Sequence, residues 1–115
     1  MLRFQYLKKD QVTADVEVDY ATKTVTCRAY TEDIYALPFG VNTSPSIADL
    51  NRFLESRCFP KDRRNCRQIL DDLGLEEYIP LEIVRKTHGR QLEDYCWIRF
   101  EGEALDYERD IRLRD

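Results

Sequence analysis

The sequence predicts an α+β domain, an antiparallel sheet of about four strands with two or three helices packed on one face. Three observations carry this. Residues 2–30 hold three runs in which apolar and polar residues alternate, separated by short polar turns. From Ser44 onward the apolar spacing lengthens to that of a helix face. A last alternating run, Glu93 to Phe100, returns to the strand period. Strands first, helices together and one closing strand is the order of layered α+β folds.

The first strand is expected over Leu2–Leu7, with Leu2, Phe4 and Tyr6 on one face. The second spans Val12–Val18, where Val12, Ala14, Val16 and Val18 alternate with Thr13, Asp15 and Glu17. The third covers Thr24–Tyr30, with Val25, Cys27 and Ala29 sharing a face. The segment Ala36-Leu37-Pro38-Phe39-Gly40 is apolar but broken by proline, and reads as a short edge strand or a bend. Ser44-Pro45 offers an N-cap with proline at the first helical position, and Ser46 with Asp49 offers a capping box. Ile47, Leu50, Phe53 and Leu54 then line one helical face, and the helix should stop near Arg57, because Phe59 precedes Pro60 and is pushed toward extended backbone. A second helix is expected from about Lys61 to Leu73, closed by Gly74 in a left-handed cap onto which Leu75 folds back. Pro80 opens a third, short helix ending before His88-Gly89. In the closing strand Tyr95, Trp97 and Arg99 face one way and Cys96, Ile98 and Phe100 the other. The charged tail from Glu103 carries Leu105, Tyr107, Ile111 and Leu113 as anchors. Leu70, Leu73, Trp97 and Ile98 are expected in the core.

A length of 115 residues suits a single interaction domain over residues 1–115. The hydrophobic share of 43% is that of a folded chain rather than a disordered one. A net charge of −4 counts against a general nucleic-acid binder and against sequence-specific DNA recognition, although a local basic patch remains compatible with it. No apolar run is long enough to cross a bilayer, and the opening MLRFQYLKKD lacks the apolar stretch of a signal peptide, so a cytoplasmic location with no membrane partner is expected.

Chemical motifs are sparse. Cys27, Cys58, Cys66 and Cys96 form no C-x-x-C pair, which favours reduced thiols and no metal; a zinc site from Cys58, Cys66, His88 and Cys96 is the sharp alternative. His88, the only histidine, follows a helix and stands upstream of Glu93 and Asp94, so it suits either a general base or, more simply, a cap on the last helical carbonyls. A Cys–His nucleophile would need one of the cysteines beside it. The four glycines, at 40, 74, 89 and 102, make no phosphate loop, and kinase signatures are absent. No enzyme activity, cofactor or small-molecule substrate is expected.

The strongest surface signal is basic. Arg52, Arg57, Lys61, Arg63, Arg64 and Arg67 crowd the Phe59-Pro60 corner, with Arg85, Lys86 and Arg90 able to join on folding. Guanidinium groups bind carboxylate or phosphate in a bidentate way, which singles out Arg57, Arg63, Arg64, Arg67 and Arg90 as partner-binding candidates. The bland reading is a solvated face balanced by Glu55, Asp62, Asp71 and Asp72. The acidic end, Glu101 to Asp115, could pair with that patch or mimic nucleic acid toward a basic partner. Exposed Tyr30, Tyr35 and Tyr78 are further contact candidates, whereas Trp97 is expected to pack inside.

Arg57-Cys58-Phe59 with Arg63, Leu73-Gly74-Leu75 with Tyr78 and Pro80, Lys86-Thr87-His88-Gly89, Asp94, Trp97-Ile98-Arg99-Phe100 and Gly102-Glu103 together resemble a pattern of small proteins from Firmicutes and their mobile elements. The element order also resembles the N-terminal subdomain of HipA kinases, which in split systems is a separate, HipS-like antitoxin protein. Phe59-Pro60-Lys61-Asp62-Arg63 and Leu73-Gly74-Leu75 stand in the same order here, while Thr87-His88-Gly89-Arg90-Gln91 replaces that subdomain's small-residue turn. The resemblance implies a protein-binding inhibitor or regulator whose first expected partner is a HipA-like kinase. The same genomic setting suggests an alternative, an anti-CRISPR protein that inhibits a Cas9-type effector by binding it or its guide RNA.

Overall fold

The computed structural model describes residues 1–91 and 94–111. Strands β1 (Leu2–Lys8), β2 (Gln11–Asp19) and β3 (Thr24–Ala29) come first, then helices α1 (Ile47–Ser56), α2 (Cys66–Leu73) and α3 (Pro80–Thr87), then β4 (Cys96–Phe100). The four strands form one antiparallel sheet in the order β3-β2-β1-β4. The α+β architecture expected from the sequence is therefore the one the chain adopts.

Alternation explains the layering. Phe4, Tyr6, Val16, Val18, Ile98 and Phe100 project from one face and are buried under α1 and α3, which contribute Leu50, Phe53, Leu54 and Val84. Phe53 is the hub: its ring meets Tyr6 edge-on at 5.2 Å, stacks with Phe4 at 6.3 Å and tilts against Phe39 at 5.7 Å. Burying such a ring is worth about 1.5–3 kcal/mol of transfer free energy.

A smaller core fills part of the opposite face. The β1–β2 register slips between Tyr6 and Leu7, leaving Thr13 as an extra residue whose hydroxyl donates to the Tyr6 carbonyl at 3.0 Å. Beside this bulge Leu7 and Trp97 pack under Tyr107 and Ile111, from a single wide helical turn (Tyr107–Ile111) that folds back onto the sheet. The Trp97 indole N–H donates to the Lys9 carbonyl at 2.6 Å and the Tyr107 N–H to Asp10 at 2.8 Å. Both faces of β4 are thus covered near Trp97, so Trp97 and Ile98 are fully buried, as expected. The rest of the open face is polar: Arg99 donates to Gln5, Gln5 to Asp15, and the Tyr30 hydroxyl also to Asp15.

Several expectations are corrected. Ser46, not Ser44, caps α1, with Asp49 completing the capping box, so Pro45 precedes the cap instead of opening the helix. Residues 61–65 form two successive turns, Arg63 N–H to Pro60 O and Cys66 N–H to Arg63 O, and α2 starts only at Cys66. The physical reason is that Lys61 to Asn65 has no apolar side chain to bury, so nothing repays helix formation there. Gly74 does close α2 in the left-handed region (φ 77°), with Leu75 N–H reaching the Leu70 carbonyl at 2.8 Å. Leu70 is buried, but Leu73 is only half-buried. The segment around Pro38 is a bend, after a short 3-10 turn over Ile34–Ala36. β4 begins at Cys96; Glu93 and Leu113 lie outside the described residues.

Candidate partner-binding corner

The corner is built where α1 stops. Arg57 leaves helical geometry, and the chain then turns through Phe59-Pro60. Three contacts pin it. The Tyr78 hydroxyl donates to the Phe59 carbonyl, the two rings meet edge-on at 5.4 Å, and Gln91 Nε2 donates to the Ser56 carbonyl at 2.7 Å. Between this corner and the end of α3 runs an open groove of ≈ 570 Å³, with Ile83 and Thr87 among its lining. Arg63 stands on the corner side and Arg90 on the loop after α3; both are exposed. Neither guanidinium has a hydrogen-bond or ion-pair partner among the described residues. Phe59 and Pro60 supply apolar surface between them.

The five candidate arginines divide. Arg57 is drawn inside, 8% exposed. Its guanidinium donates to both oxygens of Asp94 (2.9 and 3.0 Å), to the Gly89 carbonyl at 2.8 Å and to the Cys96 carbonyl at 2.9 Å, and lies 5.6 Å from the Tyr6 ring. Burial disfavours its charge, but the Asp94 hydrogen bonds and charge outweigh that and raise its pKa. Burial likewise pushes the Asp94 carboxyl up, and Arg57 together with the Cys96 N–H overrules it and holds that carboxyl below the usual range. A buried, fully used arginine is not presented to a partner. Arg67, although exposed, bonds Asp71 and the carbonyls of Leu75 and Glu76, tying the chain back onto α2. Arg64 is exposed beside Arg63 but does not line the groove. Arg57, Arg63 and Arg90 all line the one cavity, and of these three Arg63 and Arg90 are the exposed pair.

The acidic end is spent internally to a large degree. Glu101 pairs with Arg3, Glu103 accepts the Phe100 N–H at 2.7 Å, and Asp106 and Asp110 both engage Arg109.

The thiols and the single histidine are held in structural settings. Burial, with the Glu55 charge, pushes the Cys58 thiol up to about 12, so it is protonated near neutrality. Burial also raises Cys27 and Cys96. His88 caps α3 in the left-handed region (φ 58°); its Nδ1 lies 3.2 Å from the Ile98 carbonyl and 3.5 Å from Glu103, so its polar neighbours are not cysteines. Among the described residues no group of His, Cys, Asp and Glu converges to hold a metal ion, and the four cysteines are free thiols. No helix there is long and apolar enough to cross a membrane. The expected contact tyrosines differ in state: Tyr35 is 90% exposed, Tyr30 is tied to Asp15, and Tyr78 supports the corner.

Sequence reasoning did not foresee the role of Arg57, because its partner Asp94 lies 37 residues away. Compared with protein-family models, curated proteins and solved structures, the chain matches none.

Proposed function

We propose that this chain is a non-enzymatic protein-binding module, an inhibitor or regulator, whose groove between Phe59 and Arg90 receives an acidic segment of a partner. The carrying observation is the pair Arg63 and Arg90: two exposed guanidiniums, free of partners among the described residues, lining one groove of mixed polar and apolar character. Guanidinium forks suit carboxylates, and Phe59 and Pro60 offer the apolar contact that fixes a peptide between them. The resemblance to the HipA N-terminal subdomain makes a HipA-like kinase in the cytoplasm the first partner to test. A Cas9-type effector with its guide RNA is the second, because the same guanidiniums fit a phosphate backbone. The acidic end is the weaker interface, since Glu101, Glu103, Asp106 and Asp110 already have internal partners.

The test titrates the purified chain against a HipA-like kinase by calorimetry, with the double reversal Arg63→Glu/Arg90→Glu alongside. Affinity should fall at least about tenfold, the loss should shrink with added salt, and the melting temperature should not move. Binding that survives the reversal in a folded variant would overturn the proposed site. No binding to the kinase, but salt-sensitive binding to a Cas9–guide RNA complex, would move the reading to the second partner.

A further inference from the structure

β3 is an outer strand, and its free side is bare. The Tyr30 N–H donates to the Thr13 carbonyl at 2.8 Å, which sets the phase of the β2–β3 ladder. Thr24, Thr26 and Arg28 therefore bond β2, and the N–H and C=O groups of Val25, Cys27 and Ala29 point outward. None of these outward groups has a partner among the described residues. Of the usual guards of a free edge the strand carries one charged side chain, Arg28, but no proline and no bulge: its register against β2 runs unbroken from Ala29 to Thr24.

We propose that this edge pairs antiparallel with the same edge of a second copy, joining two four-stranded sheets into one. The argument for a second copy is self-complementarity. A twofold axis at Cys27 sets Thr26 opposite Arg28 of the second copy on the polar face, and Val25 opposite its Ala29 on the apolar face. No like charges stand directly opposite each other across the junction; the two Arg28 side chains are diagonal neighbours on the polar face. Antiparallel pairing also brings the start of one strand beside the end of the other. Exposed Tyr20 lies just before β3, and exposed Ile34 and Tyr35 lie just after it, so each copy supplies both halves of the flanking apolar contact. This is the isologous geometry of a closed dimer. The net charge of −4 on each copy opposes approach, so association should strengthen with added salt, opposite to the arginine groove.

Sedimentation equilibrium from low to high micromolar protein tests this, together with hydrogen exchange at both ends of that range. The expected result is a reversible dimer in which the amides of Val25, Cys27 and Ala29 become slow on association, while those of Thr24, Thr26 and Arg28 are slow throughout. Ala29→Pro removes one outward N–H without touching the ladder to β2, and should weaken the dimer. Thr26→Lys places an ammonium beside Glu17 of its own chain but against Arg28 of the second copy, and should weaken it roughly tenfold with the fold retained. A monomer at every concentration would overturn the proposal. So would a dimer in which the three alternate amides keep exchanging fast, or one indifferent to both substitutions.

Discussion

β3 and β4 are the two outer strands of one sheet, and each turns three residues' backbone groups away from it. On β4 all six of those groups are met. Cys96 N–H donates to Asp94 and its carbonyl accepts from Arg57; Ile98 N–H donates to the His88 carbonyl and its own carbonyl faces His88 Nδ1; Phe100 N–H donates to Glu103 and its carbonyl accepts the Glu103 N–H. On β3 the matching groups of Val25, Cys27 and Ala29 are open among the described residues. The residues that close β4 are Arg57, His88, Asp94 and Glu103, all members of the motif pattern singled out in the sequence. What reads as a functional signature is here a structural clasp, and the two surfaces we propose for binding, the exposed arginines of the groove and the β3 edge, lie outside it.

The sharpest way to break the contrast is Arg57→Met, which strips the clasp of its centre and leaves the Gly89 and Cys96 carbonyls and Asp94 without their donor. The loss should be about 2–4 kcal/mol in urea unfolding, chiefly from the two carbonyls left without a donor, since the Asp94 carboxylate is 39% exposed and keeps the Cys96 N–H. Gly89→Ala should cost about 1–2 kcal/mol from the left-handed backbone alone (φ 65°), and the added Cβ would sit 3.2 Å from Arg57 Cβ, pressing on the same clasp. Acid should loosen it by titration. The Asp94 carboxyl is depressed in the folded state, so its contribution is present above the unfolded carboxyl pKa and is lost as pH falls through the folded value. Melting temperature followed downward from about pH 5 should therefore drop, and Asp94→Asn should flatten that slope. The smallest effect belongs to the bare edge. Ala29→Pro, whose missing N–H points to solvent, should change monomer stability by less than about 1 kcal/mol.

How far the sequence was readable follows the range of the forces involved. Strands β1, β2 and β3 were legible because alternation is local, and so were the Ser46–Asp49 capping box of α1 and Gly74 ending α2. The start of α2 is not legible, because Cys66, Ile69, Leu70 and Leu73 mark a helical face without marking its first turn, and Lys61 to Asn65 offers no apolar residue to extend it. Arg57 looked like one more surface arginine of a charged stretch. Its burial depends on a carboxylate 37 positions on and on two carbonyls that only the finished sheet brings near. The groove was half legible: Arg63 and Arg90 were both candidates, but only the packing of α3 against α1 sets them around one cavity. The return of Tyr107 and Ile111 over Trp97 was signalled by the anchors in the tail, though not its landing on the far face.

The pairing of β1 with β4 also sets the order in which the molecule can be completed. Lys8 must wait for Cys96, and the loop between them spans most of the chain. During synthesis β1 and β2 can pair early, while β1's second side stays unpaired until the last strand leaves the ribosome, so closure is expected to be the slow step. The chain carries a built-in reporter of that moment. Its single tryptophan becomes fully buried, with its N–H on Lys9, only when β4 docks. In stopped-flow refolding, Trp97 fluorescence should therefore lag far-UV circular dichroism, which reports the helices and the first hairpin.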